Sequence, residues 1–195
     1  MAHSDFERAI DEVIGILEAE AIPYHIGGSV ASSLHGLFRT TADIDIVAKI
    51  LPEQARRLTE RFQGLGYADE DMIAEAIRHR SSFNVIHDAT GIKVDVFLVK
   101  QTPYDLQAFQ RADPLVISES EDANAYFVAA PEDTILSKLR WYRLGGELSE
   151  RQWLDILGVL KVQQQALDYD YLRHWAADLA VLDLLERAID ESTLP

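Results

Sequence analysis

"GGSVASSLHGLFRTTADIDIVAKI", residues 27–50, decides the fold. A Gly-Gly-Ser turn opens it, a short helix-forming run follows, and "DIDIVAKI" then alternates polar and apolar residues as a strand with one polar face does. Side chains two apart on a strand share a face, so Asp43 and Asp45 stand side by side while Ile44 and Ile46 turn to the core. Two carboxylates at that spacing repel each other, and desolvating them is costly unless a cation or donor lies between them. A hard divalent ion, Mg²⁺ or Mn²⁺, held by carboxylate oxygens with water and substrate phosphate completing its shell, meets that need. Gly27 and Gly28 let backbone amides approach a ligand closely, and Ser29 adds a hydroxyl at the start of a helix, where anions are favoured. The same three residues also suit a tight turn and a helix cap with no ligand at all.

Working outward, the spacing of Phe6, Ile10, Val13, Ile14 and Leu17 predicts an amphipathic helix over 5–20, with Ser4 and Glu7 as a capping box. Pro23 stops it, and "YHI" before Gly27 reads as a short strand. Pro52 opens a helix running to about Phe62, ended by Gly64 and Gly66. "SSFNVIHDATGIKVDVFLV" (81–99) reads as two strands joined at "DATG". Its second strand carries Asp95 between Val94 and Val96, a third acid amid residues that want burial. If that strand lies beside the Asp43 strand, three carboxylates converge on one face and can hold two metal ions. A short amphipathic turn around Leu106 and Phe109 and a strand near Val116 follow. From Pro131 the pattern is helical: "PEDTILSKLRWYRL" to Gly145-Gly146, a helix capped by Ser149, and two more near 168–178 and 181–191. The expected division is a mixed sheet-and-helix domain over 1–125 and a helical region over 126–195.

The chain has 195 residues, 48% of them hydrophobic, which supports a folded core. Its 18 basic and 33 acidic residues give a net charge of −15, which disfavours broad, nonspecific binding of DNA or RNA. The absence of cysteine excludes disulfides, thiolate zinc sites and cysteine nucleophiles. No apolar run spans a bilayer, and the acidic N-terminal stretch is unlike a signal peptide, so a soluble cytoplasmic protein without membrane contact is expected. His25, His35, His79, His87 and His174 form no HExxH spacing, and "GGSVA" is not the GxSxG elbow of a serine hydrolase. Neither the GxGxxG dinucleotide fingerprint nor a Walker A lysine is present.

Gly27-Gly28-Ser29, Arg39-Thr40, Asp43-Ile44-Asp45 and Lys93-Val94-Asp95, in that order, resemble the signature of the nucleotidyltransferase superfamily related to DNA polymerase β. Within it the chain is most similar to the AbiEii toxin and minimal nucleotidyltransferase groups of prokaryotes, over roughly residues 5–100 by motif. The resemblance implies an α+β nucleotidyltransferase fold, a mixed sheet flanked by helices with a helical C-terminal region. It also implies transfer of a nucleoside monophosphate from an NTP to an acceptor hydroxyl on RNA, protein or a small molecule. Asp43, Asp45 and Asp95 would then be the catalytic metal ligands, with Asp95 helping to deprotonate the acceptor. Gly27, Gly28, Ser29, Arg39 and Lys138 would contact the nucleotide, with Thr40, Lys93 and Asp155 in support. A toxin-antitoxin setting with a cognate partner protein belongs to the same expectation. Two other readings stand beside it: a noncatalytic nucleotide-binding module of this fold, and an aminoglycoside-type antibiotic nucleotidyltransferase. Arg39 suits either a phosphate or neutralisation of the acids; Lys138 suits a nucleotide or a solvated helical face; Asp155 suits a pair with Arg151 one turn earlier.

Overall fold

A computed structural model describes residues 4–41, 43–117 and 124–193. By contacts the chain divides into two compact units, one of residues 1–26 and 41–128, the other of residues 27–40 and 129–195.

The first unit is built on helix α1 (Asp5–Ala19) and strand β1 (Tyr24–Ile26). Ser4 caps α1 as its sequence predicts: the Ser4 Oγ accepts from the Glu7 amide at 3.2 Å, and the Ser4 amide donates to the Glu7 carboxylate at 2.8 Å. Strand β2 covers Asp43–Ala48, and β3 is the two-residue Gly66–Tyr67. Strands β4 (Ser82–His87) and β5 (Lys93–Leu98) form the hairpin expected at "DATG", where Gly91 adopts φ +70° and its amide donates to the His87 carbonyl. Strands β6 (Asp113–Val116) and β7 (Ala125–Val128) pair antiparallel. The sheet order is β3-β4-β5-β2-β1-β7-β6. It is mixed, with β2 parallel to β5 and β1 parallel to β7, and the other pairs antiparallel.

Ile44, Ile46, Val94, Val96, Phe83 and Val85 are buried on one face of this sheet. Helix α3 (Ala55–Gln63), which follows a 3-10 turn at Pro52–Gln54, brings Phe62 within 6.1 Å of the Phe83 ring. Helix α4 (Glu70–His79) packs on α3 and β4 through Ile73, Ala76 and Ile77. Burial of the aliphatic alternate residues is what fixes the register, and with it the face on which the acids stand.

Helix α5 (Pro103–Gln110) also belongs to the first unit, and the second unit holds helix α2 (Gly28–His35) with α6 (Pro131–Leu144), α7 (Glu150–Gln163), α8 (Tyr169–Asp178) and α9 (Leu182–Ser192). Helix α2 packs on α6 and α7, α7 on α9, and α8 on α6 and α9. Pro131 stands at the start of α6, where its missing amide proton costs nothing. The next two residues, Glu132 and Asp133, are buried acids with partners: Glu132 accepts from the Asp168 amide at 2.9 Å and Asp133 from the Tyr171 hydroxyl at 2.8 Å.

The end of α2 meets α7 at two small residues, Gly36 and Gly158. A Cβ on Gly36 would stand 2.7 Å from the Val159 nitrogen, 2.8 Å from the Gly158 carbonyl carbon and 2.9 Å from the Ser32 oxygen. These are backbone atoms, so the helices would have to part. Gly36→Ala is therefore expected to lower stability by about 1–3 kcal/mol, read as a lower urea midpoint at an unchanged slope.

Candidate active site

The acids are placed by β2 and β5. Register sets Asp45 directly opposite Asp95 and Asp43 opposite Lys93 across this parallel pair. Asp43 is exposed, Asp45 and Asp95 are half-buried, and the isoleucines and valines between them are buried, so all three carboxylates share the face away from the aliphatic core. On the far side of β5, Asn84 of β4 stands opposite Asp95. Asn84, Asp95 and Asp45 thus form one row across three strands. The alternation of Phe83, Asn84 and Val85 is the sequence signal for Asn84, but an asparagine in a hairpin strand carries no chemistry until its neighbour across the ladder is known.

Lys93 belongs to the same face. Its Nζ lies 2.7 Å from Asp95 Oδ2, and its pKa is raised, first by that hydrogen bond and further by the charges of Asp95, Asp43 and Asp45. Among the described residues no group of three or more His, Cys, Asp or Glu side chains is drawn together as a metal centre. The donor set nonetheless fits a hard cation in its chemistry: it is all carboxylate oxygen, on neighbouring strands at matched register.

The opposite end of this face is closed over. His25 of β1 pairs with Val47 of β2 and is only 7% exposed, with the Phe109 ring of α5 at 5.3 Å. Burial pushes its pKa down to about 4, and its Nδ1 has no hydrogen-bond partner among the described residues. A histidine held neutral in the fold takes up its proton in the unfolded chain first. Stability present above pH 6.5 is thus lost as pH falls toward about 4. The loss is expected to be smaller in His25→Leu, measured as the urea midpoint of both proteins across that range.

Gly27, Gly28, Ser29, Arg39, Thr40, Lys138 and Asp155 lie in the second unit. Gly27 caps α2 and Gly28 adopts φ +54°, a conformation that a side chain would strain. Ser29 is inside the first turn and not at the cap, and its hydroxyl accepts from Arg39 Nη2 at 2.5 Å. Arg39 in turn donates from Nε to Asp155 Oδ1 at 2.7 Å and from Nη2 to Asp155 Oδ2 at 2.8 Å. Lys138 donates to the same Asp155 Oδ2 at 2.8 Å. Lys138 and Asp155 are 4% and 9% exposed, so the buried network replaces both the solvated face and the Arg151 pair as the setting of these residues. Burial alone would raise the Asp155 pKa, but the Arg39 and Lys138 hydrogen bonds and charges outweigh it and hold the carboxyl below its ordinary value. Thr40 is exposed, and its carbonyl receives a long 3.5 Å contact from Arg39 Nη1.

No protein-family model matches the chain, and no curated protein matches its sequence. Solved structures do match. The crystal structure of ANT(2")-Ia in complex with adenylyl-2"-tobramycin is similar over 91% of this chain and 98% of that one, with a TM-score of 0.60 at 13% identity. An antigenic nucleotidyltransferase-like protein from Paracoccidioides brasiliensis is similar over 96% of this chain and 93% of that one, with a TM-score of 0.54 at 17% identity. At such identities the likeness is one of fold, and the fold is that of nucleotidyltransferases: a mixed seven-stranded sheet flanked by helices. None of the described helices is long and apolar enough to cross a membrane.

Proposed function

We propose that the chain is a metal-dependent nucleotidyltransferase that moves a nucleoside monophosphate from an NTP to an acceptor hydroxyl. One observation carries the reading: Asp45 faces Asp95 across two parallel strands, with Asp43 two residues away on the same face. In this reading Asp43, Asp45 and Asp95 hold Mg²⁺ or Mn²⁺. When bound, the ion neutralises charge developing at the α-phosphate and polarises the acceptor hydroxyl. Asp95 receives the acceptor's proton as its oxygen attacks the α-phosphorus, the bond to the bridging oxygen breaks, and pyrophosphate leaves. The Gly27-Gly28 turn and the first-turn amides of α2 bind phosphate oxygens, since those amides have no acceptor within the helix. Ser29 adds its hydroxyl. Arg39, whose Nε and Nη2 are engaged by Asp155 and Ser29, positions that serine. Lys138 acts on the nucleotide through the same network.

The test is incubation of purified protein with each α-³²P-labelled NTP and Mg²⁺ or Mn²⁺, in lysate containing RNA and protein. Metal-dependent label on an acceptor is the expected result; NTP binding without transfer under every condition would favour the noncatalytic module. Label on RNA or protein would support the toxin-type groups and a cognate partner. A second reading, an aminoglycoside acceptor, is favoured by the fold likeness to ANT(2")-Ia and by the net charge of −15, which attracts polycations. Adenylylation of tobramycin in the absence of lysate, followed by mass spectrometry, separates the two.

A further inference from the structure

We infer that Lys93 is a tethered counter-ion of the acidic face, which a divalent cation must displace from Asp95 before that carboxylate can serve as a ligand. The inference rests on the nucleotidyl-transfer reading and adds a residue that sets when the metal enters. Its ground is the placement of Lys93. The strand pleat puts Lys93 on the same face as Asp95, two residues on, and register sets it opposite Asp43. Its Nζ takes up Asp95 Oδ2 at 2.7 Å, and Asp43 and Asp45 act on the same ammonium.

The chemistry of the two cations makes the exchange competitive. Mg²⁺ demands carboxylate oxygens at about 2.0–2.1 Å in near-octahedral array, so an oxygen turned to an ammonium must be reoriented to bind it. Lysine suits the part of a displaceable cation, being a compact charge on a flexible stem. The Lys93 side chain is 43% exposed and that of Asp95 22%, so the ammonium can leave into water without a buried charge being stranded. A buried arginine fork would hold the acid far more rigidly. Metal affinity in the absence of nucleotide is then kept low by Lys93. An NTP that arrives with its metal supplies the phosphate oxygens that tip the exchange, and offers the released ammonium an anion.

The test is Mn²⁺ binding without nucleotide, followed by the electron paramagnetic resonance of free Mn²⁺, for the wild type, Lys93→Met and Lys93→Arg. Loss of the competing charge is expected to tighten Mn²⁺ binding about tenfold in Lys93→Met. Lys93→Arg, which keeps the charge, is expected to stay close to the wild type. Thermal melts provide the second readout. In EDTA, Lys93→Met melts below the wild type because three acids are left facing one another, and Mg²⁺ raises its melting temperature more than it raises that of the wild type. Equal Mn²⁺ affinity in wild type and Lys93→Met, or an equal drop in melting temperature with and without Mg²⁺, would overturn the inference and leave the enzyme reading standing. Absence of Mn²⁺ binding to Lys93→Met without nucleotide overturns the inference, and absence in all three proteins even with NTP present overturns both.

Discussion

Asp95→Asn is expected to slow nucleotidyl transfer by about a thousandfold while leaving the protein folded. The substitution keeps the shape of the side chain but removes the charge that faces Asp45 across the ladder, and with it the group that would accept the substrate proton in the proposed reaction. A contribution of about 4 kcal/mol to the transition state, well within what a polarising metal supplies, corresponds to that factor in rate. Stability should change little. Among the described residues Asp95 pairs with Lys93, whose side chain is nearly half exposed, and a surface ion pair of this kind contributes about 0–1 kcal/mol. Single-turnover transfer measured beside a urea melt separates the two quantities. A rate within about tenfold of the wild type would show that Asp95 does not belong to the chemistry, since removing even a supporting group around a metal costs about that much.

Asp155→Ala is expected to act in the opposite way, as a stability mutant first. Asp155 is the shared carboxylate of Arg39 and Lys138, and Lys138 is almost wholly buried. Breaking a buried pair by deleting one member costs about 3–5 kcal/mol, because the remaining charge keeps its desolvation penalty and loses its partner. The double variant Asp155→Leu with Lys138→Met should recover much of that loss, since it removes both charges and restores apolar volume. Urea denaturation of the single and double variants checks both expectations. The same carboxylate sets a pH dependence. Its folded pKa is depressed below the ordinary 3.8, so its contribution is complete above that value and is lost as pH falls through the lower folded one. Acid unfolding of Asp155→Ala should accordingly lack that component.

Local pattern carried much of this into the sequence. The Ser4–Glu7 capping box, the Pro131 start of α6, the Ser149 cap of α7 and the "DATG" hairpin each rest on residues within a few positions of one another, and each is found in the structure. The pairing of the Asp43 strand with the Asp95 strand stood in the sequence only as a condition, since alternation marks the polar face of each strand but not its neighbour; the structure supplies it. Residues 67–80 carried an unassigned signal: Asp69 accepts from the Met72 amide as an N-cap, and Ile73, Ala76 and Ile77 have helical spacing. Strand β7, four residues long, is too short for its alternation to stand out from a loop. Asp155 shows the deeper limit. Sequence spacing offers Arg151 as its partner, whereas the fold supplies Arg39, 116 positions away. Spacing reports neighbours on one helix and is silent about a partner brought from a distant loop.

The grouping of α2 with α6 and α7 bears on how the chain is made. Val30 and Ala31 of α2 are buried, and Gln163 at the end of α7 donates to the His35 carbonyl from 128 positions downstream. On the ribosome, α2 emerges long before the helices that cover it. At roughly 5–20 residues per second, it waits on the order of ten seconds for α7 to be synthesised. During that interval its apolar side has no native partner and is open to chaperones and to other nascent chains. Slowed translation between residues 40 and 163 would lengthen that exposure, so the yield of folded protein depends on synthesis rate as well as on final stability.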